Sequence, residues 1–185
     1  MSDITLFKTE GSIFLKEISN KTESSFQDSN GFLLNMDEKE ARRTIESLKK
    51  SNKKMAVLAR DDEFNRRALE TLKIDYLVSP ENNPGKDNLK QRSSGFSHVL
   101  AEIAKKKNIQ IVVDLNWLNS LQGKQKAIAI SRIIQNIKIC RKAKIDLKLA
   151  SFATKPGNLL DEKQIKAIGF SLGMSSEQVD KCLTE

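Results

Sequence analysis

Few side chains in this sequence could form a catalytic centre. The chain contains one histidine, His98, and two widely separated cysteines, Cys140 and Cys182. A zinc centre needs three or four converging His, Cys or carboxylate ligands, and a serine nucleophile needs a strained strand-to-helix turn beside its base. We therefore expect no catalytic residue and no metal ligand around His98, which should instead contact a partner molecule. A magnesium site that uses Asp114 stays open.

The segment before His98 has the composition of a phosphate site. Ser93, Ser94 and Gly95 stand where the pattern predicts the start of a helix, and Arg92 precedes them. Helix N-termini present unpaired backbone N–H groups and the positive end of the helix dipole, which suits phosphate. An ordinary N-cap role for Ser94 is the alternative. The sequence therefore predicts either a phosphate site or a plain helix cap at this position.

Short apolar runs alternate with amphipathic segments along the chain. The predicted parallel strands are Phe32–Leu34, Ala56–Ala59, Tyr76–Val78, Ile109–Val113 and Leu147–Ala150, with Ser12–Ile18 as a further candidate. Between them lie predicted helices that begin near Asp37, Asp61, Ser94, Lys124 and Asp161. This alternation is typical of a parallel α/β sheet, either open or closed into a barrel. We expect residues 1–185 to form a single barrel-like domain, in which residues 1–30 are the least clearly patterned.

Cationic and polar side chains follow several of the predicted strands. In parallel sheets, the loops at the carboxyl ends of the strands meet on one face and build the functional surface. The candidate binding residues on and beside these loops are Arg60, Arg66, Arg67, Lys86, Lys90, Arg92, Ser93, Ser94, His98 and Lys155. Other polar residues have simpler explanations. Lys105–Lys107 complement a helix dipole, and Ser131, Gln135, Lys138 and Lys142 suit a solvated helix face.

The charge balance favours a polyanionic partner. The chain has 32 Lys and Arg against 24 Asp and Glu, a formal net charge of +8. Such an excess favours nucleic acid or an anionic surface, although lysine-rich surfaces also arise for solubility. Aromatic residues make up 5% of the chain, which is little for stacking unpaired bases. Phosphates and shape are therefore the expected features of recognition.

The compartment is predicted from what the sequence lacks. No stretch approaches the roughly 20 apolar residues of a membrane span, and the first ten residues have no signal-peptide pattern. The two cysteines form no Cys-x-x-Cys pair. We therefore expect a cytoplasmic protein in a reducing compartment, without a membrane partner.

Four segments of the sequence carry a family resemblance. They are EFNRRALE (Glu63–Glu70), IDYLVSP (Ile74–Pro80), SSGFSHVLAEIAKKKNIQIVVDL (Ser93–Leu115) and LASFATKPGNLLDEKQIKAIGFSLGM (Leu149–Met174). In this order they resemble ribonuclease P protein component 3, the thirty-kilodalton-subunit family of archaea and eukaryotes. The likeness covers about residues 31–175, and its central segment is the most specific part. The N-terminal part and the loop at residues 82–92 match the family pattern poorly.

The resemblance implies a TIM-barrel-like fold related to the polymerase-and-histidinol-phosphatase hydrolases, without their metal site. It also implies an RNA-binding subunit of the ribonucleoprotein that removes 5′ leaders from precursor tRNA, in which the RNA performs the chemistry and holds the Mg²⁺. The expected partners are the ribonuclease P RNA, precursor tRNA, protein component 2 and the other ribonuclease P proteins. The short N-terminal part leaves the completeness of the barrel open. A small metal-dependent phosphoesterase that uses Asp114, or a scaffold with no RNA role, are the alternatives.

Overall fold

Seven strands form one parallel sheet, in the order in which they occur along the chain. The computed structural model describes residues 3–19, 28–87 and 92–183. Its strands are β1 (Asp3–Thr5), β2 (Ser12–Ile18), β3 (Gly31–Leu34), β4 (Lys54–Leu58), β5 (Tyr76–Val78), β6 (Gln110–Asp114) and β7 (Leu147–Ala150). Every neighbouring pair is parallel. The predicted strands and the candidate at Ser12–Ile18 are therefore confirmed, whereas β1 was not predicted.

The first and last strands of the sheet meet, so the sheet curls into a nearly closed, TIM-barrel-like α/β fold. The backbone N–H of Phe152 donates to the carbonyl oxygen of Ile4 at 2.9 Å, and that of Leu6 donates to Ala153 at 2.9 Å. The buried carboxylate of Asp3 accepts hydrogen bonds from the backbone and hydroxyl of Ser151. The predicted barrel is confirmed, with seven strands around it.

Most of the strands are buried on both of their faces. Alternate side chains fill the inside of the barrel, where the core consists of Ile4, Leu15, Leu33, Ala56, Tyr76, Val78, Val112, Ala150 and Phe152. The intervening side chains pack outward against the helices in a second, larger core. Burial on both faces explains why these strands occur in the sequence as continuous apolar runs rather than as alternating patterns.

Helices connect the strands and surround the barrel. They are α1 (Glu38–Leu48), α2 (Asp62–Thr71), α3 (His98–Lys107), α4 (Leu115–Ser120), α5 (Gly123–Ala143), α6 (Glu162–Ser171) and α7 (Ser176–Leu183). A helix that leads from one parallel strand to the next must run back along the sheet. The N-termini of α1–α6 therefore lie at the carboxyl end of the barrel, and the C-termini of α1, α2, α3 and α5 lie at its amino end. Along the described ranges, no helix is long and apolar enough to cross a membrane.

The start of α3 differs from the prediction. The helix begins at His98, and its N-cap is Ser97, whose hydroxyl accepts the backbone N–H of Leu100. Phe96 is buried before the helix begins, while Val99, in the first turn of the helix, is 64% exposed. The predicted helix start at Ser93–Gly95 is therefore wrong, because Gly95 adopts a positive φ of 66° that interrupts any helix there.

Candidate nucleic-acid interface

The long connection between β5 and α3 is held in place by a buried arginine. Arg132, on the inner face of α5, donates to the carbonyl oxygens of Asn83 at 2.6 Å and Gly85 at 2.6 Å. It also donates to the carbonyl of Glu81 and forms an ion pair with Asp87. Asp87 in turn accepts the backbone N–H of Ser93 at 2.8 Å. Burial alone would raise the pKa of Asp87, but these hydrogen bonds and the charges of Arg132 and Arg92 bring it below the ordinary range. One guanidinium thus organises both ends of the connection.

Two further polar residues of α5 fix the second half of this connection. The Gln135 amide donates to the carbonyl oxygen of Arg92 and to the hydroxyl of Ser94, and its oxygen accepts the backbone N–H of Arg92. The fully buried Asn136 donates to the carbonyl of Ser94. The prediction that Gln135 belongs to a solvated helix face is therefore wrong, because its amide replaces the backbone partners that an irregular segment lacks.

Gly95 lets this connection pack against the end of β5. A Cβ atom at this position would lie 2.0 Å from the carbonyl oxygen of Pro80, so no other residue fits. The carbonyl oxygen of Gly95 accepts a hydrogen bond from the buried Asn65 of α2 at 3.0 Å. The segment before α3 is therefore packed between α2 and α5, with its outer surface facing solvent.

A pocket of about 430 Å³ opens on that outer surface. Arg66 of α2 and Arg92 line it together with Ser93, and Val99 forms part of its apolar side. Arg66 forms an exposed ion pair with Glu70. The exposed guanidinium of Arg92 makes a long contact of 3.4 Å with Asp87, whose own side chain is largely buried. A solvated pair and a long contact are both weak, so both guanidinium groups can turn toward an incoming phosphate. The structure therefore brings together Arg66, Arg92 and Ser93 from the predicted set.

Of the other predicted residues, Ser94 also lines this pocket, and the rest lie outside it. Arg60 stands over the ring of Phe64 and approaches Asn35 at the barrel mouth, and Arg67 pairs with Glu63. Three exposed residues stand apart from the pocket: Lys86, His98 and Lys155. Lys90 lies outside the described residues.

Ser94 cannot serve as a surface contact. It is 2% exposed, its hydroxyl donates to the carbonyl of Phe96, and it also accepts the Gln135 amide. Because all three observations direct the hydroxyl inward, the prediction that Ser94 forms a phosphate site at a helix start is wrong. The sequence did contain a pattern that indicates the burial of Arg132 and Asn136. Both lie on the same helical stripe of α5 as the apolar Ala129 and Ile133.

Two buried carboxyl groups lie near the carboxyl end of the barrel. Burial and the nearby charge of Asp114 raise the pKa of Glu81 to about 8, and neither of its carboxyl oxygens has a hydrogen-bond partner among the described residues. Burial raises the pKa of Asp114 to about 6, although its side chain caps α4 by accepting the backbone N–H of Trp117. Across residues 3–19, 28–87 and 92–183, no three His, Cys, Asp or Glu side chains are grouped to hold a metal ion.

One stretch has the spacing of a serine nucleophile turn. GFSLG at residues 169–173 matches Gly-x-Ser-x-Gly, a pattern that was not expected in this sequence. Ser171 is the last residue of α6, and its hydroxyl donates to the carbonyl of Ala167 one turn earlier. A nucleophile turn instead places its serine between a strand and a helix, so this match is a coincidence of spacing at a helix end.

Comparison with known proteins agrees with this architecture. The family model for the RNase P subunit p30 matches residues 17–185. The chain belongs to the RNase P subunit p30 family. The fold of this family member is similar to that of a chain in the cryo-EM structure of archaeal ribonuclease P with mature tRNA, with a TM-score of 0.76 and 16% sequence identity. The match covers 99% of this chain and 87% of the other.

Curated relatives of this p30-family chain include ribonuclease P protein component 3 of Methanococcoides burtonii, which is 28% identical over 131 residues. The protein of the same name from Methanothermobacter thermautotrophicus is 25% identical over 160 residues. These matches cover 71% and 86% of this chain but 51% and 62% of the relatives. The chain therefore spans a little more than half the length of the relatives it matches.

Proposed function

We propose that this chain is an RNA-binding protein subunit of ribonuclease P, which supports the catalytic RNA in removing 5′ leaders from precursor tRNA. The observation that carries the proposal is membership of the p30 family over residues 17–185. The net charge of +8 agrees with an RNA partner. The proposed partners are the ribonuclease P RNA, precursor tRNA, protein component 2 and the remaining protein subunits.

The pocket lined by Arg66 and Arg92 is the proposed contact with RNA at the carboxyl end of the barrel. Two guanidinium groups beside the N-terminus of α3 suit a phosphate, because arginine donates in a fork and the helix end adds backbone N–H groups. Lys86 and Lys155 are proposed to contact phosphates nearby, and so is Lys90, which lies outside the described residues. The same role is proposed for Arg60 and Arg67, although both already have protein partners. His98, exposed on the first turn of α3, is proposed to contact RNA or a protein partner.

The chain itself is proposed to be non-catalytic and to bind no metal, with Mg²⁺ held by the RNA. Asp114, the residue on which a phosphoesterase would depend, already accepts a backbone hydrogen bond as the cap of α4. Glu81 favours its neutral form, because burial opposes its ionisation, and neutral carboxyl groups are poor metal ligands. Asp114 and Glu81 are therefore structural residues, and this role agrees with chemistry that the RNA performs. We also propose that the chain is located in the cytoplasm.

Reconstitution tests this function. Ribonuclease P RNA and the remaining protein subunits should be assembled with and without this chain, and 5′-leader removal from precursor tRNA should be measured. We expect the complete assembly to cleave faster, or at lower Mg²⁺, than the assembly that lacks this chain. Equal rates in the two assemblies, or RNA cleavage by the isolated chain with added Mn²⁺ or Zn²⁺, would show that the proposal is wrong.

A further inference from the structure

Three adjoining clefts surround part of the amino end of the barrel. The first lies between α1 and α2 and measures about 590 Å³. It shares Lys54 and Asp75 with a second cleft of about 340 Å³. The second shares Lys144 and Asp146 with a third, of about 320 Å³. Because each cleft has lining residues in common with the next, the three form one surface, here called the amino-end track.

The amino-end track is strongly cationic. Its lining contains four carboxylates, Glu46, Asp75, Asp146 and Glu177. Against them stand nine cations: Arg42, Lys49, Lys53, Lys54, Lys73, Lys105, Arg141, Lys144 and Lys181. The excess of five positive charges is more than half of the net charge of +8 carried by the whole chain.

Compensation of helix dipoles does not account for all of these cations. Four helices, α1, α2, α3 and α5, end at this side of the barrel. Each helix C-terminus is equivalent to roughly −0.5 charge, or about −2 for the four together. An excess of five cations therefore leaves about three positive charges that the fold itself does not need.

Some of the cations have structural partners, and others project into solvent. The Lys105 amine caps α5 by donating to the carbonyl of Ala143 at 2.8 Å, and Arg141 donates to Gln178 of α7. Lys49, Lys73 and Lys144 are exposed, and their side-chain amines form no hydrogen bond or ion pair with any residue that the structure describes. These three lysines belong to three different helix-to-strand connections, so their separation is fixed by the barrel.

The carboxyl end of the barrel has the opposite bias. Four helices begin there at an aspartate N-cap, namely at Asp37, Asp61, Asp114 and Asp161. Further carboxylates stand in the first turns of α1, α2 and α6. On the loops at the carboxyl end, cations are therefore interspersed with carboxylates, whereas cations outnumber carboxylates along the amino-end track. A long polyanion is attracted most strongly where one sign of charge dominates.

We propose that the amino-end track binds the phosphate backbone of an RNA helix, as a second RNA contact on the opposite side of the barrel from the Arg66–Arg92 pocket. The inference rests on the proposed function as an RNA-binding subunit and adds a surface to it. A row of lysines on several connections suits the repeated negative charges of a phosphodiester chain. Such lysines recognise the charge and spacing of the phosphates. A subunit with one RNA contact at each end of the barrel can hold two RNA segments at a distance set by the barrel.

Two charge-matched variants test the proposal in the full chain. The amino-end variant is Lys49→Gln, Lys73→Gln and Lys144→Gln, and the carboxyl-end variant is Lys86→Gln, Arg92→Gln and Lys155→Gln. Both remove three positive charges from the same total, and glutamine keeps most of the side-chain length. Affinity for a short RNA duplex of arbitrary sequence should be measured across a series of salt concentrations, and circular dichroism should confirm that both variants are folded.

We expect the amino-end variant to bind the duplex at least about tenfold more weakly and to have a shallower dependence of log K on log salt, by up to ~0.9 for each phosphate that the variant no longer neutralises. The carboxyl-end variant should change less in both measurements. An amino-end variant that loses no more affinity than the carboxyl-end variant would mean that the amino-end track attracts a duplex no more strongly than the carboxyl-end loops do, and would overturn the proposal.

Unchanged binding by the amino-end variant would overturn the proposal as well. Should that variant keep its RNA affinity but fail to assemble with another ribonuclease P protein, the track is a protein-docking surface. Failure of the unmodified chain to bind any RNA would instead contradict the proposed function, so the two results can be told apart.

Discussion

At the carboxyl end of the barrel four helices begin at an aspartate, whereas at the amino end the chain passes from its helices to its strands through lysines such as Lys49, Lys73 and Lys144. The same helix dipole explains both preferences, because carboxylates suit its positive end and cations suit its negative end. In a parallel barrel the helices that connect consecutive strands point the same way, so these local choices add up to a charge difference between the two ends. The net charge favours a polyanionic partner, and the topology concentrates the excess of cations at the amino end.

The two ends also differ in how their connections are held. At the carboxyl end, residues 79–87 and 92–97 are largely irregular and depend on the buried side chains of Arg132, Asn136 and Asn65. At the amino end, the connections are short, and several turn through a residue with positive φ, such as Asn52, Asn108 and Lys144. One end is therefore shaped by a buried polar network, and the other by tight local turns whose side chains can reach a ligand.

Removal of Arg132 should have the largest effect and should be confined to the carboxyl end. Arg132→Met leaves the carboxylate of Asp87 and the carbonyls of Asn83 and Gly85 without their shared donor. Breaking a buried pair on one side usually lowers the free energy of unfolding by about 3–5 kcal/mol. Urea denaturation measures the decrease, and hydrogen exchange should rise in residues 79–97 while the connections of the amino end keep their protection.

Lys138→Met provides the matched control, because Lys138 is exposed on the same helix. Its effect should stay within about 0.5 kcal/mol, as is usual for surface positions. A decrease of less than about 1 kcal/mol in Arg132→Met would mean that the buried network does not hold the carboxyl end together.

Glu81 makes stability depend on pH, and the dependence should belong to the carboxyl end. Its pKa rises from the ordinary 4.5 to about 8 in the fold, so the folded state binds the proton more tightly than the unfolded state does. The stabilising effect is complete below about pH 4.5 and is lost as the pH rises toward about 8. The free energy of unfolding should therefore fall by a few kcal/mol over this window.

Glu81→Gln should remove this slope above about pH 6. A smaller slope should persist at lower pH, because burial also raises the pKa of Asp114, to about 6. Chemical denaturation at a series of pH values measures both parts. A variant whose stability still declines between pH 6 and pH 8 as steeply as that of the unmodified chain would exclude Glu81 as the source.

His98→Ala should have the smallest effect. His98 lies at the carboxyl end but is exposed, and among the described residues its side chain contributes no hydrogen bond to the network that fixes residues 79–87 and 92–97. We expect the unfolding free energy to change by less than about 0.5 kcal/mol. Leader removal by the reconstituted enzyme should stay within about tenfold, which is the size expected when one hydrogen bond to a partner is removed. A much larger reduction of activity in a normally folded variant would assign His98 a role in the chemistry.

Locally determined features were predictable from the sequence, and long-range ones were not. The apolar runs predicted the central strands, and Asp37 and Asp61 predicted the starts of α1 and α2, because capping involves residues only three positions apart. The start of α3 was missed because the conformation of Gly95 depends on its close contact with Pro80, which belongs to the preceding strand end. No pattern around Gly95 reports that contact.

The candidate site was predictable to a similar extent. The cations of the loops were visible in the sequence, and Arg66 and Arg92 do share a pocket. The role of Arg132 was not visible, because its partners precede Arg132 itself by more than 40 residues in the chain. A charged residue on an otherwise apolar helix stripe was the signal that it would be buried and paired.

The seam between β1 and β7 determines when the barrel can be completed. Every other pair of neighbouring strands is consecutive in the chain and can form as soon as its connecting segment has folded. The seam joins Ile4 to Phe152, so it carries the longest loop-closure entropy of the sheet and must form late. During synthesis the growing sheet therefore keeps two open edges until the seventh strand has emerged. The edge that stays open throughout is β1, which has only 3 residues, and this short length limits its pairing with other chains before the barrel closes.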